Sequence, residues 1–211
     1  AGGSCIANSI IISDMHPGVG VIHTQSYWNS SNQDYASTLM DNNYSPNEII
    51  NLLEENDVQN NPSIRQYGIV DLFNEYDYGQ LYEDECNEIE GAIWYNLSES
   101  ELGNCLSETV PRSASFTGNN CSNWRGHING IDYAIQGNIL LNEDILTNME
   151  TSFLNTNGPL DRKLMNALHG AKVPGADTRC LDEGISTLSA FIRVAKSDDS
   201  DNYYIDLNIP T

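Results

Sequence analysis

The chain has 211 residues, 39% of them hydrophobic, and a formal net charge of −21 at pH 7. This charge repels phosphate backbones and anionic lipid surfaces, which argues against nucleic acid or a membrane surface as a partner. No apolar run reaches the length of about eighteen residues that a membrane-spanning helix needs. The length and apolar content suit one hydrophobic core, so residues 1–211 are expected to form a single domain. The negative charge leaves sugars, cations and cationic peptides as possible ligands.

The first third of the chain predicts a hairpin, a pair of helices and a further strand. β-branched runs at 10–13 and 18–25 flank a His-Pro-Gly turn signal and are expected to pair. Apolar residues recur at helical spacing over 29–41, and a serine-to-glutamate capping box with proline at the first helical position starts a second helix over 46–55. The β-branched stretch 64–72 then predicts a strand that enters the core.

Residues 73–110 differ in composition from the rest of the chain. They contain many acidic residues and no lysine or arginine, with Trp94 and Tyr95 interleaved. We interpret the segment as an acidic surface insertion, which Cys86 and Cys105 close as a local disulfide. It is expected to be a solvated loop. The alternative is a loop that binds calcium or contacts a partner, although its acidic residues lack the regular spacing of a calcium loop.

The remainder predicts two strands, two helices and two strands, in that order. The expected ranges are 113–117, 133–139, 143–153, 160–169, 186–195 and 203–209. Helices grouped in pairs against antiparallel strands are typical of an α+β fold. They favour a four-layer αββα sandwich over a doubly wound parallel sheet.

The five cysteines show no C-x-x-C spacing, so zinc-ribbon and thioredoxin-type sites are not predicted. For Cys5, Cys121 and Cys180 a disulfide is a better expectation than a nucleophilic role, because an acidic setting disfavours the thiolate. Disulfides require an oxidising compartment, so the protein is expected to be extracellular or periplasmic. The histidine spacing does not suggest zinc, and no metal or cofactor is expected.

Four stretches of the chain together resemble one family. They are PGVGVIHTQSYW at 17–28, NPSIRQYGIVD at 61–71, YAIQGNILL at 133–141 and PGADTRC at 174–180. On these stretches the chain resembles the domain of unknown function 1028 (DUF1028) family, which is placed in the N-terminal-nucleophile (Ntn) hydrolase superfamily. The resemblance extends over nearly the whole chain outside the acidic insertion. It implies the αββα fold and, by analogy, hydrolysis of an amide-like bond.

The resemblance also implies a mechanism whose nucleophile is missing from this sequence. In the superfamily a threonine, serine or cysteine at the free N-terminus attacks a carbonyl carbon, and its own α-amine serves as the base. Ala1 has neither a hydroxyl nor a thiol, and the family normally carries a further strand, opening with threonine, before this point. We therefore expect a fold that lacks its first strand. Ser4 and Cys5 fall at the end of the second strand, where related hydrolases carry charged residues that support the nucleophile.

Polar residues in the matching segments form the candidate site. If they line a pocket, Gln25 and Asn138 orient a carbonyl group, and an ion pair of Asp177 with Arg179 anchors a charged substrate group. The alternative is that they satisfy loop backbone and fix a corner of the sandwich. His23 is next to Thr24 on a strand and points to the opposite face, so the two cannot form a base and nucleophile pair. The candidate set is Thr24, Gln25, Gln136, Asn138, Asp177 and Arg179.

Two functions from different classes remain open. The first is an extracytoplasmic amide hydrolase of Ntn type whose attacking residue is absent from this chain. The second is a non-catalytic extracellular subunit that self-assembles into a homo-oligomer or polymer by edge pairing, in which the sheet edge beside residues 4–13 is covered by another strand. Exposed tryptophan and tyrosine give weaker support to a carbohydrate-binding module. A small molecule or a peptide is the expected ligand.

Overall fold

The computed structural model describes residues 1–5, 8–74, 109–200 and 202–210. Cys86, Cys105 and most of the insertion predicted at 73–110 lie outside these ranges, so their disulfide and the role of the segment stay predictions. Within the described residues, strands β1 to β9 span Gly2–Ser4, Ser13–His16, Gly20–Gln25, Gln66–Asn74, Thr109–Thr117, Gly126–Asn129, Ala134–Gly137, Ser189–Val194 and Ile205–Ile209. Helices α1 to α4 span Ser30–Asp41, Pro46–Glu55, Asp144–Leu154 and Leu160–Gly170.

The largest sheet has the strand order β2-β3-β4-β5, and all of its pairs are antiparallel. A second sheet has the order β1-β8-β9, while β6 pairs with β7 in a separate hairpin. The pairing of β4 with β5 continues as far as Asn74 opposite Thr109. The residues at each end of the predicted insertion therefore belong to the sheet, because they complete its ladder of pairs.

Helices α1 and α2 cover one face of the four-stranded sheet, where their buried residues pack on Ile22, Ile69 and Ala114. Helices α3 and α4 pack on each other, with α3 against β6 and β7 and α4 against β8. The β6-β7 hairpin in turn contacts β4 and β5. The predicted α+β class is thus confirmed. No helix in the described part of the chain is long and apolar enough to cross a bilayer.

Helix α2 begins where its capping box predicts, and α1 begins at Ser30 within the predicted range 29–41. The backbone nitrogen of Ser45 donates to Glu48 Oε2 at 2.8 Å, and the backbone nitrogen of Glu48 lies 3.4 Å from Ser45 Oγ, which is the reciprocal pair of a capping box. Asn29 accepts hydrogen bonds from the backbone nitrogens of Ser31 and Asn32 and so caps α1. These caps supply acceptors to backbone donors that have no partner inside the helix.

The strand predicted at 10–13 is wrong for most of its length. Ser9–Ile12 form a short 3-10 helix, and β2 begins only at Ser13. The reason is topological: β1 pairs with β8 in one sheet and β2 pairs with β3 in another, so the chain between them must cross from sheet to sheet. The family resemblance places the end of a strand at Ser4, and β1 ends there; no strand is predicted at β6, because its sequence GHIN carries little of the β-branched and aromatic signal.

A buried ion pair fixes the loop between α2 and β4. Arg65 and Asp57 are 2% and 4% exposed, and Nε of Arg65 lies 2.7 Å from Oδ2 of Asp57. The carboxylate also accepts from Asn32 Nδ2 at 2.6 Å and from the backbone nitrogens of Gln59 and Asn61 at 3.0 Å. Burial opposes the charge, but these hydrogen bonds outweigh burial and hold the pKa of Asp57 well below its ordinary value.

Candidate functional site

The four-stranded sheet has two different faces, and successive residues of β3 alternate between them. Ile22 and Thr24 are 0% and 2% exposed on the side of α1, where Thr24 Oγ1 donates to Gln33 Oε1 at 2.8 Å. His23 and Gln25 point to the other face and line a cavity. His23 and Thr24 are therefore on opposite faces, as predicted. Thr24 is not part of the cavity, because the alternation of the strand turns it toward the helices.

The cavity has a volume of about 1280 Å³ and lies between the four-stranded sheet and the smaller sheets. Apolar residues of α3 and α4, among them Met149, Phe153 and Leu164, line part of its wall. Cavities that bind small molecules are mostly apolar and carry a few polar groups, usually within about 300–1,000 Å³. This cavity has that composition and exceeds that size. The candidate residues that line it are Gln25, Gln136, Asn138, Asp177 and Arg179.

Gln66, which the sequence analysis does not single out, joins two of the candidates. Its Oε1 accepts hydrogen bonds from Gln25 Nε2 at 2.6 Å and from Asn138 Nδ2 at 3.1 Å. Its Nε2 donates to the carbonyl oxygens of Gly126 and Gly137, each at 2.9 Å. Gln66 is 0% exposed, so the apolar surroundings strengthen these bonds. One buried amide on β4 thus links β3 to the β6-β7 hairpin and holds Gln25 and Asn138 together.

Asp177 and Arg179 form a second polar cluster at the short 3-10 helix Thr178–Cys180. Arg179 donates from Nε to Asp177 Oδ1 at 2.8 Å and from Nη2 to Oδ2 at 2.5 Å, so the pair is bidentate. Asp177 Oδ2 also accepts from the backbone nitrogen of Cys5, and Arg179 donates to Ser4 Oγ. Burial opposes the charge of Asp177, but the hydrogen bonds from Arg179 and Cys5 outweigh it and keep the pKa of Asp177 below its ordinary value. These contacts favour the interpretation that the pair fixes a corner of the fold.

A disulfide bond between Cys5 and Cys180 holds the same corner. The two Cα atoms are 5.9 Å apart and 175 residues distant in sequence. The sequence predicts a disulfide rather than a nucleophile for these cysteines but leaves the pairing open, because spacing alone does not determine connectivity. Cys121 is free and buried, and its thiol donates to the carbonyl oxygen of Arg65 at 3.2 Å.

Gln136 reaches from β7 toward β4. A Cβ atom on Gly68 would lie 2.1 Å from Gln136 Oε1, so the amide of Gln136 occupies the space that this glycine leaves open. Gln136 Oε1 is buried and has no hydrogen-bond partner among the described residues. Buried polar atoms are nearly always paired, so this oxygen is available to a donor on a ligand.

Three residues that line the cavity have a left-handed backbone: Ser26 with φ 58°, Tyr27 with φ 55° and Ile139 with φ 60°. This conformation is unusual for a β-branched residue such as Ile139. The carbonyl oxygen of Ile139 accepts from the backbone nitrogen of Thr178 at 2.9 Å and from its Oγ1 at 3.0 Å. Strained backbone of this kind is concentrated at functional sites, where surrounding contacts hold it.

Two of the other histidines occupy positions at the ends of elements, while His127 lies within β6. His16 ends β2, with Nδ1 2.7 Å from Asp41 Oδ1 and Nε2 3.6 Å from Asp14 Oδ2. The neighbouring carboxylate of Asp14 is the main cause that raises the pKa of His16 above 6.5, and the carboxylate of Asp41 acts in the same direction. His169 lies in the last turn of α4, as predicted. In the described ranges no three side chains of the metal-binding types come together.

Comparison with known proteins gives a family and a fold. The model of a family described as "Family of unknown function (DUF1028)" matches residues 3–109 and 105–211. The crystal structure of protein SPO2555 from Silicibacter pomeroyi, of the same family, is similar with a TM-score of 0.64 and 17% sequence identity. That similarity covers 99% of this chain and 70% of the other, and at this identity it concerns the fold alone. No curated protein matches the sequence.

Proposed function

Because this chain belongs to the DUF1028 family of unknown function, we propose that it is a hydrolase of amide-like bonds with the Ntn-hydrolase fold, and that the cavity between its sheets is the substrate cleft. The observation that carries the proposal is that Gln25, Gln136 and Asn138 line one large and mainly apolar cavity. Side-chain amides donate and accept hydrogen bonds, so they can bind both the N–H and the C=O of a substrate amide. Apolar surroundings make each such bond stronger than it is in water.

The contacts between elements support the four-layer αββα form of this fold. Helices α1 and α2 contact the strands β2 to β5, and the hairpin β6-β7 contacts β4 and β5. Beyond the hairpin and β8 lie α3 and α4. This order of a helix pair, a sheet, further strands and a second helix pair is the one expected of such a sandwich.

In the proposed mechanism the residues of this chain hold the substrate. The superfamily's nucleophile is a hydroxyl or thiol at the mature N-terminus. Ala1 has neither group, and the nucleophile of this mechanism is not assigned to any of residues 1–211. The disulfide between Cys5 and Cys180 supports an extracellular or periplasmic location, because such bonds persist in oxidising compartments.

The test measures amine release by the protein isolated from its natural source, with N-acyl amino acids and amino acid p-nitroanilides as substrates. We expect Asn138→Ala to lower kcat/KM by about tenfold or more, because a hydrogen-bonding amide next to the scissile bond is lost. Asn47→Ala, on the exposed side of α2, is the matched control and should leave the rate unchanged. If no substrate releases an amine, the hydrolase proposal fails.

One observation favours the second candidate, a subunit that self-assembles with copies of itself. Leu207 and Ile209 are 56% and 65% exposed on β9, which pairs only with β8 among the described strands and so lies at a sheet edge. An edge strand with apolar side chains invites pairing with another chain. Sedimentation velocity should then show oligomers that Leu207→Asp dissociates, whereas Leu154→Asp at the end of α3 should not. The covering strand proposed beside residues 4–13 would appear as protection of β1 or β2 from hydrogen exchange on assembly.

A further inference from the structure

Ser13 and His23 lie opposite each other on the neighbouring strands β2 and β3. Residues paired in this way share one face of a sheet and have Cβ atoms about 5 Å apart. For this pair the shared face is the one that borders the cavity, and both residues line it. The imidazole of His23 lies 5.8 Å from the ring of Phe191 on β8, centroid to centroid, so the pair is placed between the two sheets.

The side chains of Ser13 and His23 make no hydrogen bond within the described part of the chain. Ser13 is 6% exposed, and its buried Oγ has no partner. Neither ring nitrogen of His23 makes a hydrogen bond to a described residue, in contrast to His16, which bonds to Asp41. A buried hydroxyl without a partner is rare in folded proteins and points to a ligand or a reaction that uses it.

The electrostatic setting keeps the imidazole of His23 in its neutral form, which is the form that a base needs before it takes a proton. Burial is the main cause that lowers the pKa of His23 well below 6.5, and the positive charge of Arg193 acts in the same direction. The imidazole is therefore neutral near pH 7 and can accept a proton. The Nη1 atom of Arg193 donates to the carbonyl oxygen of Ser13 at 3.3 Å, which brings a cation to the place where negative charge would develop.

We propose that Ser13 and His23 form a nucleophile and base pair that transfers the acyl group of small, apolar carboxylic esters bound in the cavity. Apolar residues of α3 and α4 line the same cavity and suit an apolar acyl chain. This inference rests on the proposed use of the cavity as a substrate cleft. It does not depend on a nucleophile at the N-terminus.

The reaction proceeds in two balanced steps. Ser13 Oγ attacks the ester carbonyl carbon while the imidazole of His23 takes the hydroxyl proton, and the carbonyl electron pair moves to an oxyanion near Arg193. The oxyanion collapses, the bond to the leaving alcohol oxygen breaks, and that oxygen takes the proton from His23. Water then attacks the acyl-serine with His23 as base, which releases the carboxylic acid and restores the Ser13 hydroxyl.

The test uses the full chain with p-nitrophenyl butyrate, following nitrophenolate release and locating the butyryl adduct by peptide mass spectrometry. The adduct should be on Ser13, and Ser13→Ala should abolish both signals. His23→Gln should slow release by about 100- to 10,000-fold, the usual contribution of a general base. Ser31→Ala, which changes an exposed serine in the first turn of α1 outside the cavity, should behave as the wild type. If Ser13→Ala does not fold, Ser13→Cys should still form the adduct, now as a thioester.

An adduct on any other residue, release that survives Ser13→Ala, or no release at all overturns this inference. The amide test of the proposed function is read separately. An adduct at the mature N-terminal residue would support the Ntn hydrolase and overturn the Ser13 assignment. Ester turnover that is lost in Ser13→Ala, in a protein that releases no amine from amides, would support the Ser13 assignment and overturn the Ntn hydrolase proposal.

Discussion

Gln25 and Gln66 are register partners on β3 and β4, and their side-chain amides share a hydrogen bond of 2.6 Å. Gln66 extends this pairing to Asn138 and to the backbone of Gly126 and Gly137. A buried side chain of β4 therefore ties the β6-β7 hairpin, and with it one wall of the cavity, to the sheet. A buried polar network specifies one arrangement only when all of its members are satisfied.

Replacing Gln66 by methionine should destabilise the protein by about 3 kcal/mol or more, because each buried polar group left unpaired costs about 1–3 kcal/mol. The groups that lose their partner include the carbonyl oxygens of Gly126 and Gly137. Urea unfolding measures the difference. Gln25→Met is the matched control and should cost less, because Gln25 is partly exposed to the cavity. An equal or larger loss in the control would contradict the central role of Gln66.

Loss of the disulfide between Cys5 and Cys180 should destabilise the protein by up to about 5 kcal/mol, since the bond closes a very long loop and restricts the unfolded chain. The double variant Cys5→Ser/Cys180→Ser should therefore unfold at lower urea concentration than the wild type. Cys121→Ser, at the free cysteine, should have a much smaller effect. Non-reducing peptide mapping should link Cys5 to Cys180. The same map tests the predicted bond of Cys86 with Cys105.

Short sequence motifs predict several of the helices and strands. The capping box of Ser45 and Glu48 predicts the first residue of α2, and the β-branched run at 18–25 with the turn signal before it predicts β3 and the turn of its hairpin. The strand prediction fails at Ser9–Ile12, where the chain crosses between sheets, because a run of isoleucines is compatible with either a strand or a helical turn. The α+β class follows from these elements together.

The site depends on contacts between residues that are distant in sequence, and these have no signature in spacing. Gln66 lies in a stretch that carries the family resemblance, but its buried partners come from β6 and β7. The partner of His23 is Ser13 across the hairpin rather than its sequence neighbour Thr24, and only the register between β2 and β3 reveals it. A one-residue shift of register would have placed a different side chain opposite His23.

The buried ion pair of Asp57 with Arg65 should be sensitive to removal of one partner. Asp57→Asn should destabilise the protein by about 3–5 kcal/mol, because Arg65 keeps its charge in a buried site without an opposite charge. Asp34→Asn, on the exposed side of α1, is the control and should change stability little. Both are measured by urea unfolding at neutral pH. A small effect of Asp57→Asn would show that the hydrogen bonds from Asn32 and the loop backbone hold the loop without the ion pair.

His16 makes the stability of the β2-β3 hairpin depend on pH. Its pKa in the folded protein is raised above 6.5, chiefly by the neighbouring carboxylate of Asp14, so protonated His16 stabilises the fold fully below pH 6.5. That contribution is lost as pH rises through the folded pKa. The pKa of Asp14 is lowered from 3.8 mainly by the neighbouring His16, so its contribution is present above pH 3.8 and is lost as pH falls through its folded pKa. Between pH 3.8 and 6.5 both groups contribute.

The free energy of unfolding of His16→Gln should therefore fall below that of the wild type by more at about pH 5.5 than at about pH 8.5. The difference should be about 1 kcal/mol or less, because Asp41 is 59% exposed and water screens its charge. Adding salt at the lower pH should reduce it further. Thr38→Gln, at an exposed and uncharged position of α1, should show no such change between the two pH values if His16 is the group responsible. A wild-type advantage that is the same at both pH values would mean that His16 stabilises the hairpin by packing rather than by charge.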